Sequence, residues 1–492
     1  MVRNNAIDSD HLYYFTLFLF AISVSIVYVI MFATSAKLIV VAHGLSLLFL
    51  GFALSLGDLR SYLIFTLILC IPLQLDFHLL YDPLKNIEST PFMAGIPVDV
   101  TDLILMVLYA HWLAVLSMTK RSQGLKVGYP FGAILLIWIV YLLLSSFVTA
   151  THFRYSVYEC IALFKGFMLY FYLVNNTSTE RDLRLMVYAL MIMTAAHALY
   201  VVWQYATGLN YTVHGEFQHY VGPEGYRSIG FFGSPDATAT MMSAIVPMAL
   251  AYYFVVKEKR GRIFTLAGIF LVLVAMMLTK VRAAAFAVLI SSATLLLVGY
   301  IRSRISSATF LKAIAAGIII LLLTTPFAIH RFQTGTWGED RAPLMATAAQ
   351  MVKDHWILGV GVNNYPFDII QYVPPQLRAT WSYTVHNEYL LRWSETGIMG
   401  FLVYYILNIV LGLKLWRLTR SQDPWIFAVS LGLFAWLIGS ITHRAFSFYH
   451  YINWYVEFCA ILALTYLAST LESRRLSSVT SASELRHMKR VP

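Results

Sequence analysis

Apolar runs close to 20 residues long recur along almost the whole 492-residue chain, and that recurrence restricts the possible folds more than any other feature. A bilayer core about 30 Å thick is crossed by about 20 helical residues, each rising about 1.5 Å. Only 12% of the residues are charged and 59% are hydrophobic, whereas soluble chains carry about 25% charged residues. That charge is too little to coat several soluble domains. The same numbers exclude disorder, a collagen repeat and a disulfide scaffold. The expected fold class is all-α, a polytopic helical bundle in a membrane. About fourteen spans of bilayer length fit the sequence, with approximate limits at 12–33, 38–56, 62–80, 101–118, 131–150, 158–175, 185–207, 237–256, 263–279, 283–301, 311–329, 387–413, 424–442 and 447–470.

The net charge of +10 would suit a nucleic-acid binder, but in a membrane chain it follows from the enrichment of Lys and Arg in cytoplasmic loops. No nucleic-acid partner is expected. With the N-terminus inside, alternate connections hold Arg60; Lys120, Arg121 and Lys126; Arg181 and Arg184; Lys257, Lys259, Arg260 and Arg262; Arg302, Arg304 and Lys312; and Lys414, Arg417 and Arg420. Together with Arg3 and the basic tail 471–492 these make up roughly two-thirds of the 35 Lys and Arg residues. Both termini then face the cytoplasm, and the long connections 81–101, 208–236 and 330–385 face outward. The first run has no small-residue cleavage site before it and reads as a retained helix. Cys70, Cys160 and Cys459 all lie in apolar runs, without disulfide or zinc spacing, and no metal is expected.

The 330–385 connection exceeds the roughly 15 residues usual for a structureless loop, which marks it as functional. Within it Asp340 suits a helix cap, Pro343 a first turn, and Leu344, Ala348, Met351 and Val352 an apolar stripe. Such a helix would lie on the outer membrane face.

Several cations stand on the unfavoured side. Lys37, Lys85 and Arg154 read as flank anchors. Arg227, Arg282 and Arg341 instead adjoin helix starts. Arg227 opens Arg227-Ser-Ile-Gly-Phe-Phe-Gly-Ser-Pro-Asp236, in which Ser234 and Pro235 look like a capped start, and Arg282 follows Thr279-Lys280-Val281. The eighth, tenth and twelfth spans all begin at the outer face, so their positive N-terminal ends point the same way as these arginines. Singly each arginine is a snorkelling anchor; together they suit a multiply charged anion, phosphate or diphosphate.

Lys165, inside an apolar run, is a functional candidate by default, the plainer reading being a pair with Glu159 or a snorkelling side chain at one interface. His386-Asn387 opens the twelfth span. An imidazole of ordinary pKa near 6.5 can take a proton from a hydroxyl at neutral pH. Further along the same span, Gly397 and Gly400 leave one helix face bare for packing, and Glu395 is placed to pair with Arg392 inside the bundle.

His386-Asn387 followed after nine residues by Gly397-x-x-Gly400 resembles the signature of the O-antigen ligase and polymerase superfamily. Asp340-Arg341, then Asp354-His-Trp-Ile-Leu-Gly-Val-Gly361 and Asn364-Tyr365, are similar to its periplasmic-loop pattern. Arg227-x-x-Gly-x-Phe-x-Ser-Pro-Asp236 and Thr279-x-x-Arg282-Ala-Ala resemble its other elements. Val281 stands where serine is common, and Ser234-Pro-Asp236 where Asn-Pro-Asn is common. The resemblance covers about residues 155–470, leaving 1–154 as N-terminal transmembrane helices.

The resemblance implies an enzyme of the bacterial inner membrane with a periplasmic active site. Such an enzyme moves a glycan from undecaprenyl diphosphate to an acceptor hydroxyl, with no cofactor or metal, among membrane lipids. Arg227, Arg282, Arg341 and Lys165 would hold the diphosphate, His386 would serve the acceptor, and Asn387, Glu395, Gly397 and Gly400 would support it. The acceptor is lipid A-core or another glycan for a ligase, and a second lipid-linked repeat for a polymerase. The His-Asn-x9-Gly-x2-Gly spacing favours a ligase, although polymerases carry close variants. Phe217, Tyr220, Tyr226, Trp337, Trp381 and Tyr383 are candidates for stacking on sugars or for an interfacial belt. A transporter, for instance of bicarbonate, is the alternative from another class. It would need helices interrupted at mid-membrane and internal repeats, and the sequence displays neither.

Overall fold

A computed structural model describes residues 59–73, 77–82, 93–119, 124–208, 221–222, 225–255, 259–315, 317, 341–373, 384–447 and 453–488. The expected spans at 12–33 and 38–56, most of 311–329, the cap Asp340, and Phe217, Tyr220, Trp337, Trp381 and Tyr383 lie outside the described residues.

Among the described residues, ten helices are long and apolar enough to cross a membrane. They are α2 (Val100–Thr119), α3 (Phe131–Thr149), α4 (Phe153–Asn176), α5 (Glu180–Thr207), α6 (Pro235–Val255), α7 (Lys259–Thr279), α8 (Arg282–Ile301), α11 (Glu388–Leu418), α12 (Pro424–Phe446) and α13 (Trp454–Met488). The all-α polytopic bundle is thus observed. The span expected at 62–80 is shorter: α1 (Leu59–Cys70) ends early, and Phe77–Leu79 is a strand, β1, paired antiparallel with β2 (Ile96–Val98). A second small pair joins β3 (Val221–Gly222) to β4 (Gly225–Tyr226). Cys70, Cys160 and Cys459 are buried free thiols.

Local chemistry sets the helix limits. Thr179 and Asp182 form a reciprocal capping box at the start of α5, and Gly208, at φ 69°, ends it in the left-handed conformation. Asp423 accepts hydrogen bonds from the amides of Trp425 and Ile426 ahead of Pro424, the first residue of α12. Asn387 caps α11 by accepting from the amide of Leu390.

Side chains tie the helix ends together in two sets. At one end Arg60 donates to the Asn176 carbonyl and pairs with Asp182, Arg302 reaches Thr419, Arg304 reaches the Ser421 carbonyl, and Arg474 reaches that of Ser178. At the other end Arg227 meets Thr279, Asn453 meets Ile71, and Asn387 meets Ala445. The most enclosed helices are α6, α12 and α13, while α2 and α7 are peripheral. Helix α12 packs against α6, α8 and α11, so it is the wall shared by the three helices that begin at the second end.

The connection from 341 to 373 folds against that end. Helix α9 (Arg341–Asp354) buries Leu344, Ala348, Met351 and Val352, the stripe expected from its sequence. The residues from Gly359 onward leave the surface. They enter the bundle, turn at a short helix α10 (Tyr365–Asp368) and bury Val360, Val362, Asn363, Asn364, Tyr365 and Ile369.

Candidate functional site

Three groups lie together at the C-terminal end of α12. Arg341, the first residue of α9, donates to the Phe446 carbonyl at 3.1 Å. His386 is half-buried just before α11, and Arg341 and Asp236 both act on its charge. Asn387 holds this corner closed: its amide donates to the Ala445 carbonyl at 3.2 Å, and the next amide, that of Glu388, donates to the Ser447 carbonyl at 3.2 Å. Burial lowers the proton affinity of His386 below its ordinary value and Arg341 lowers it further, while Asp236 and the Thr384 backbone act in the opposite sense. The imidazole is therefore neutral at neutral pH.

Arg227 and Arg282 both lie at the junction of α7 and α8. Arg227 Nε donates to the Thr279 carbonyl at 2.8 Å, at the last residue of α7, and Arg282 is the first residue of α8 three positions on. The loop carrying Arg227 is shaped from beneath by the last turns of α5. His197 Nε2 accepts from the Phe231 amide at 3.0 Å, Gln204 Oε1 accepts from the Gly230 amide at 2.8 Å, and Ser228 donates to the Val201 carbonyl at 3.2 Å. Gly230 has φ 62°, and a side chain there would collide with His197 and Thr238. At the end of the loop Pro235 is the first residue of α6, and the Ala237 amide donates to Ser234 Oγ at 3.4 Å, the capped start read from the sequence. Tyr226 donates to the Gln204 carbonyl and packs at a tilt against Tyr205.

Lys165 is placed elsewhere. Its ammonium pairs with Asp102 at 2.5 Å and donates to the Pro97 carbonyl, tying α4 to α2 and β2. The alternative pair with Glu159 is not formed. Glu159 accepts from Tyr455 and lies 3.8 Å from Arg392. Arg392 also pairs with Glu388 at 3.3 Å, so its ion-pair partners are these two carboxylates, with Glu395 acting on its charge from close by. Tyr404 lies between the Arg392 and Arg444 guanidiniums, 5.8 and 5.5 Å from its ring centroid, and Arg444 donates to Asn408. This network, buried among α4, α11, α12 and α13, braces the helix that starts at Glu388. The signal for it was present in the sequence as ionisable residues within apolar runs.

Gly397 does not pave a smooth helix face. It has φ 61° and ψ −176°, a break inside α11, which also corrects the expectation that no span is interrupted. The break lies ten residues past Asn387, about 15 Å down the helix. Irregular backbone is tolerated at such depth only where other protein satisfies it, and here residues 356–361 do so. Val360 and Gly361 donate to the Ser394 and Glu395 carbonyls at 2.9 Å each, Ile398 donates to the Trp356 carbonyl at 2.8 Å, and Tyr141 donates to the Thr396 carbonyl at 2.8 Å. A side chain on Gly397 would strike Ile357 and Leu358, one on Gly359 (φ 73°) would strike Glu395, and one on Gly400 would meet Tyr141 and Thr396. The Glu395 carboxylate accepts from the Tyr365 and Asn363 amides.

Asn363 and Asn364 complete the seat. Asn363 bonds Met93 and the Tyr155 carbonyl, and Asn364 bonds Ser156 and the His152 amide. Asp368 accepts from Thr151, and burial raises its pKa. Among the described residues no group of three or more His, Cys, Asp or Glu is placed to hold a metal ion.

A long membrane bundle with a re-entrant loop seated on a broken helix, a histidine at that helix's mouth and arginines at neighbouring helix starts matches the superfamily resemblance in its placement of motifs. Residues 267–405 match the family described as O-antigen ligase. That match supports glycan transfer of the ligase or polymerase type in general. The matched stretch contains Arg282, Arg341, His386, Asn387, Glu395, Gly397 and Gly400; Arg227 and Lys165 precede it. No curated protein matches the chain.

Proposed function

We propose that the protein transfers a glycan from undecaprenyl diphosphate to an acceptor hydroxyl at the periplasmic face of the bacterial inner membrane, with a ligase favoured over a polymerase. The observation that carries this reading is the placement of Arg341 and His386 together at the C-terminal end of α12, the helix against which α6 and α8 pack. Arg227, Arg282 and Arg341 supply fixed cations, and the helix starts add partial positive charge, where a diphosphate would depart. His386 accepts the acceptor's proton. Lys165, whose charge Asp102 balances, is assigned a bracing role instead of a place in the donor set.

The direct test is transfer by the purified protein from a lipid-diphosphate glycan to a set of acceptors. A ligase loads lipid A-core or another terminal glycan; a polymerase lengthens a lipid-linked repeat. Uptake of a small solute such as bicarbonate without any transfer would favour the transporter. Arg227→Ala, Arg282→Ala and Arg341→Ala are each expected to cost about 2–4 kcal/mol in donor use, read as kcat/KM, with the protein still folded. Lys37→Ala and Lys85→Ala should do little. Equal losses from both groups would point to diffuse surface charge.

The orientation has its own test. Lys353, Arg262 and Ser477 are all exposed. In intact cells Lys353→Cys should react with a membrane-impermeant thiol reagent, while Arg262→Cys and Ser477→Cys should not. Labelling at position 262 would reverse the topology and place the site on the wrong side of the membrane.

A further inference from the structure

Asp236 is an acidic residue in a site otherwise rich in cations, and it stands where the resembling family commonly has asparagine. Its position follows from α12. Thr240 and His443 lie 3.3 Å apart and join α6 to α12 inside the bundle. Asp236 lies four residues before Thr240, one turn up on the same helix face. Three residues past His443, at the matching level of α12, Phe446 accepts from Arg341, and Asn387 is tied to Ala445. The starts of α6, α9 and α11 therefore converge on the last turn of α12, and the charge of Asp236 acts on His386 from the α6 side.

We propose that Asp236 is a positioning residue for His386, its carboxylate orienting the imidazole and holding the imidazolium that forms when His386 takes the acceptor's proton. The inference rests on the reading of His386 given above. In the step it serves, the acceptor oxygen bonds to the anomeric carbon as the bond from that carbon to the diphosphate oxygen breaks. The electron pair leaves with the diphosphate, and the acceptor's proton goes to His386 and then to water. A base held by a third, oppositely charged group is a recurrent arrangement because the orienting group fixes the ring and stabilises its protonated form.

The other charges around His386 leave this task to Asp236. Arg341, from α9, opposes protonation. Glu388, the first residue of α11, is engaged by Arg392 and Tyr404. Arg444, in α12, is directed to Asn408 and Tyr404, and His443 meets Thr240.

The test compares Asp236→Asn and Asp236→Glu by steady-state transfer across pH, together with the pH dependence of carbethoxylation at His386 followed by mass spectrometry. Removing the negative neighbour lowers the proton affinity of His386. In Asp236→Asn the acidic limb of kcat and the modification profile should therefore both move to lower pH. At the same time kcat should fall about 10-fold or more with donor KM changed less than about twofold. Asp236→Glu should restore both profiles. Asp236→Ser, compatible with the first turn of a helix, gives the same comparison if the Asn variant fails to fold. Unmoved profiles in the charge-removing variant would overturn the assignment, as would a loss of donor binding equal to that of the arginine variants. Normal transfer by His386→Ala would instead remove the reading of His386 itself, so the two failures are told apart.

Discussion

His386→Ala is expected to lower glycan transfer about 10²–10⁴-fold, the scale of a lost general base, while binding of the lipid diphosphate persists. The imidazole lies at the mouth of α11, behind the Asn387 cap and beside Arg341, where an acceptor sugar can approach from the loop end. Burial and Arg341 depress its proton affinity, so the neutral, proton-accepting form prevails at pH 7. Activity should hold steady around neutrality and fall as the pH drops through that lowered value, giving an acidic limb below about 6.5, the ordinary imidazole pKa. A residue that only positions the acceptor through hydrogen bonds gives no such limb. Loss of donor binding as severe as the loss of transfer would place His386 with the arginines, and normal turnover would defeat the enzymatic reading.

Gly397→Ala is expected to be the most damaging single-methyl change in the protein. A Cβ at φ 61° and ψ −176°, a conformation essentially confined to glycine, costs about 1–3 kcal/mol on its own. It also strikes the Ile357 and Leu358 backbone, so residues 356–361 must lift off α11. Lifting them strands the Ser394 and Glu395 carbonyls and the Ile398 amide in a dry interior, at about 1–3 kcal/mol for each group left unpaired. A loss on the order of 5 kcal/mol in stability is expected, read as the melting temperature in detergent, together with loss of transfer as the loop leaves its seat. Gly400→Ala is the comparison, since its Cβ meets the side chains of Tyr141 and Thr396, which can move. If Gly397→Ala melts with the wild type, the 356–361 seat is not what secures the loop.

The class of fold, the helix starts at Pro235, Arg282 and Glu388, and the buried stripe of α9 were all legible in the sequence because each depends on neighbours within one or two turns. Length and hydropathy identify a span, a cap identifies its first residue, and a period near 3.6 identifies its buried face. The same local rules placed His386 and the three arginines at helix mouths, and those four residues remain the centre of the proposed site.

Local rules misread Gly397 and Lys165. A glycine pair three apart is equally consistent with close packing of a smooth helix and with a break. Only the docking of residues 356–361, a segment about forty positions upstream, supplies the hydrogen bonds that make the break affordable. Lys165 read as a functional cation or as a partner of Glu159, because Asp102, with which it pairs, comes from another helix. The pairing of Arg392 with Glu159, the support of the Arg227 loop by His197 and Gln204, and the approach of Asp236 to His386 have the same character. Sequence by itself determined which segments become helices and which polar residues sit at their ends, since backbone hydrogen bonding and hydropathy act locally. Which of those residues face one another was decided only by the packing of α6, α8 and α11 around α12, because charge and hydrogen-bond partners meet through space and not along the chain.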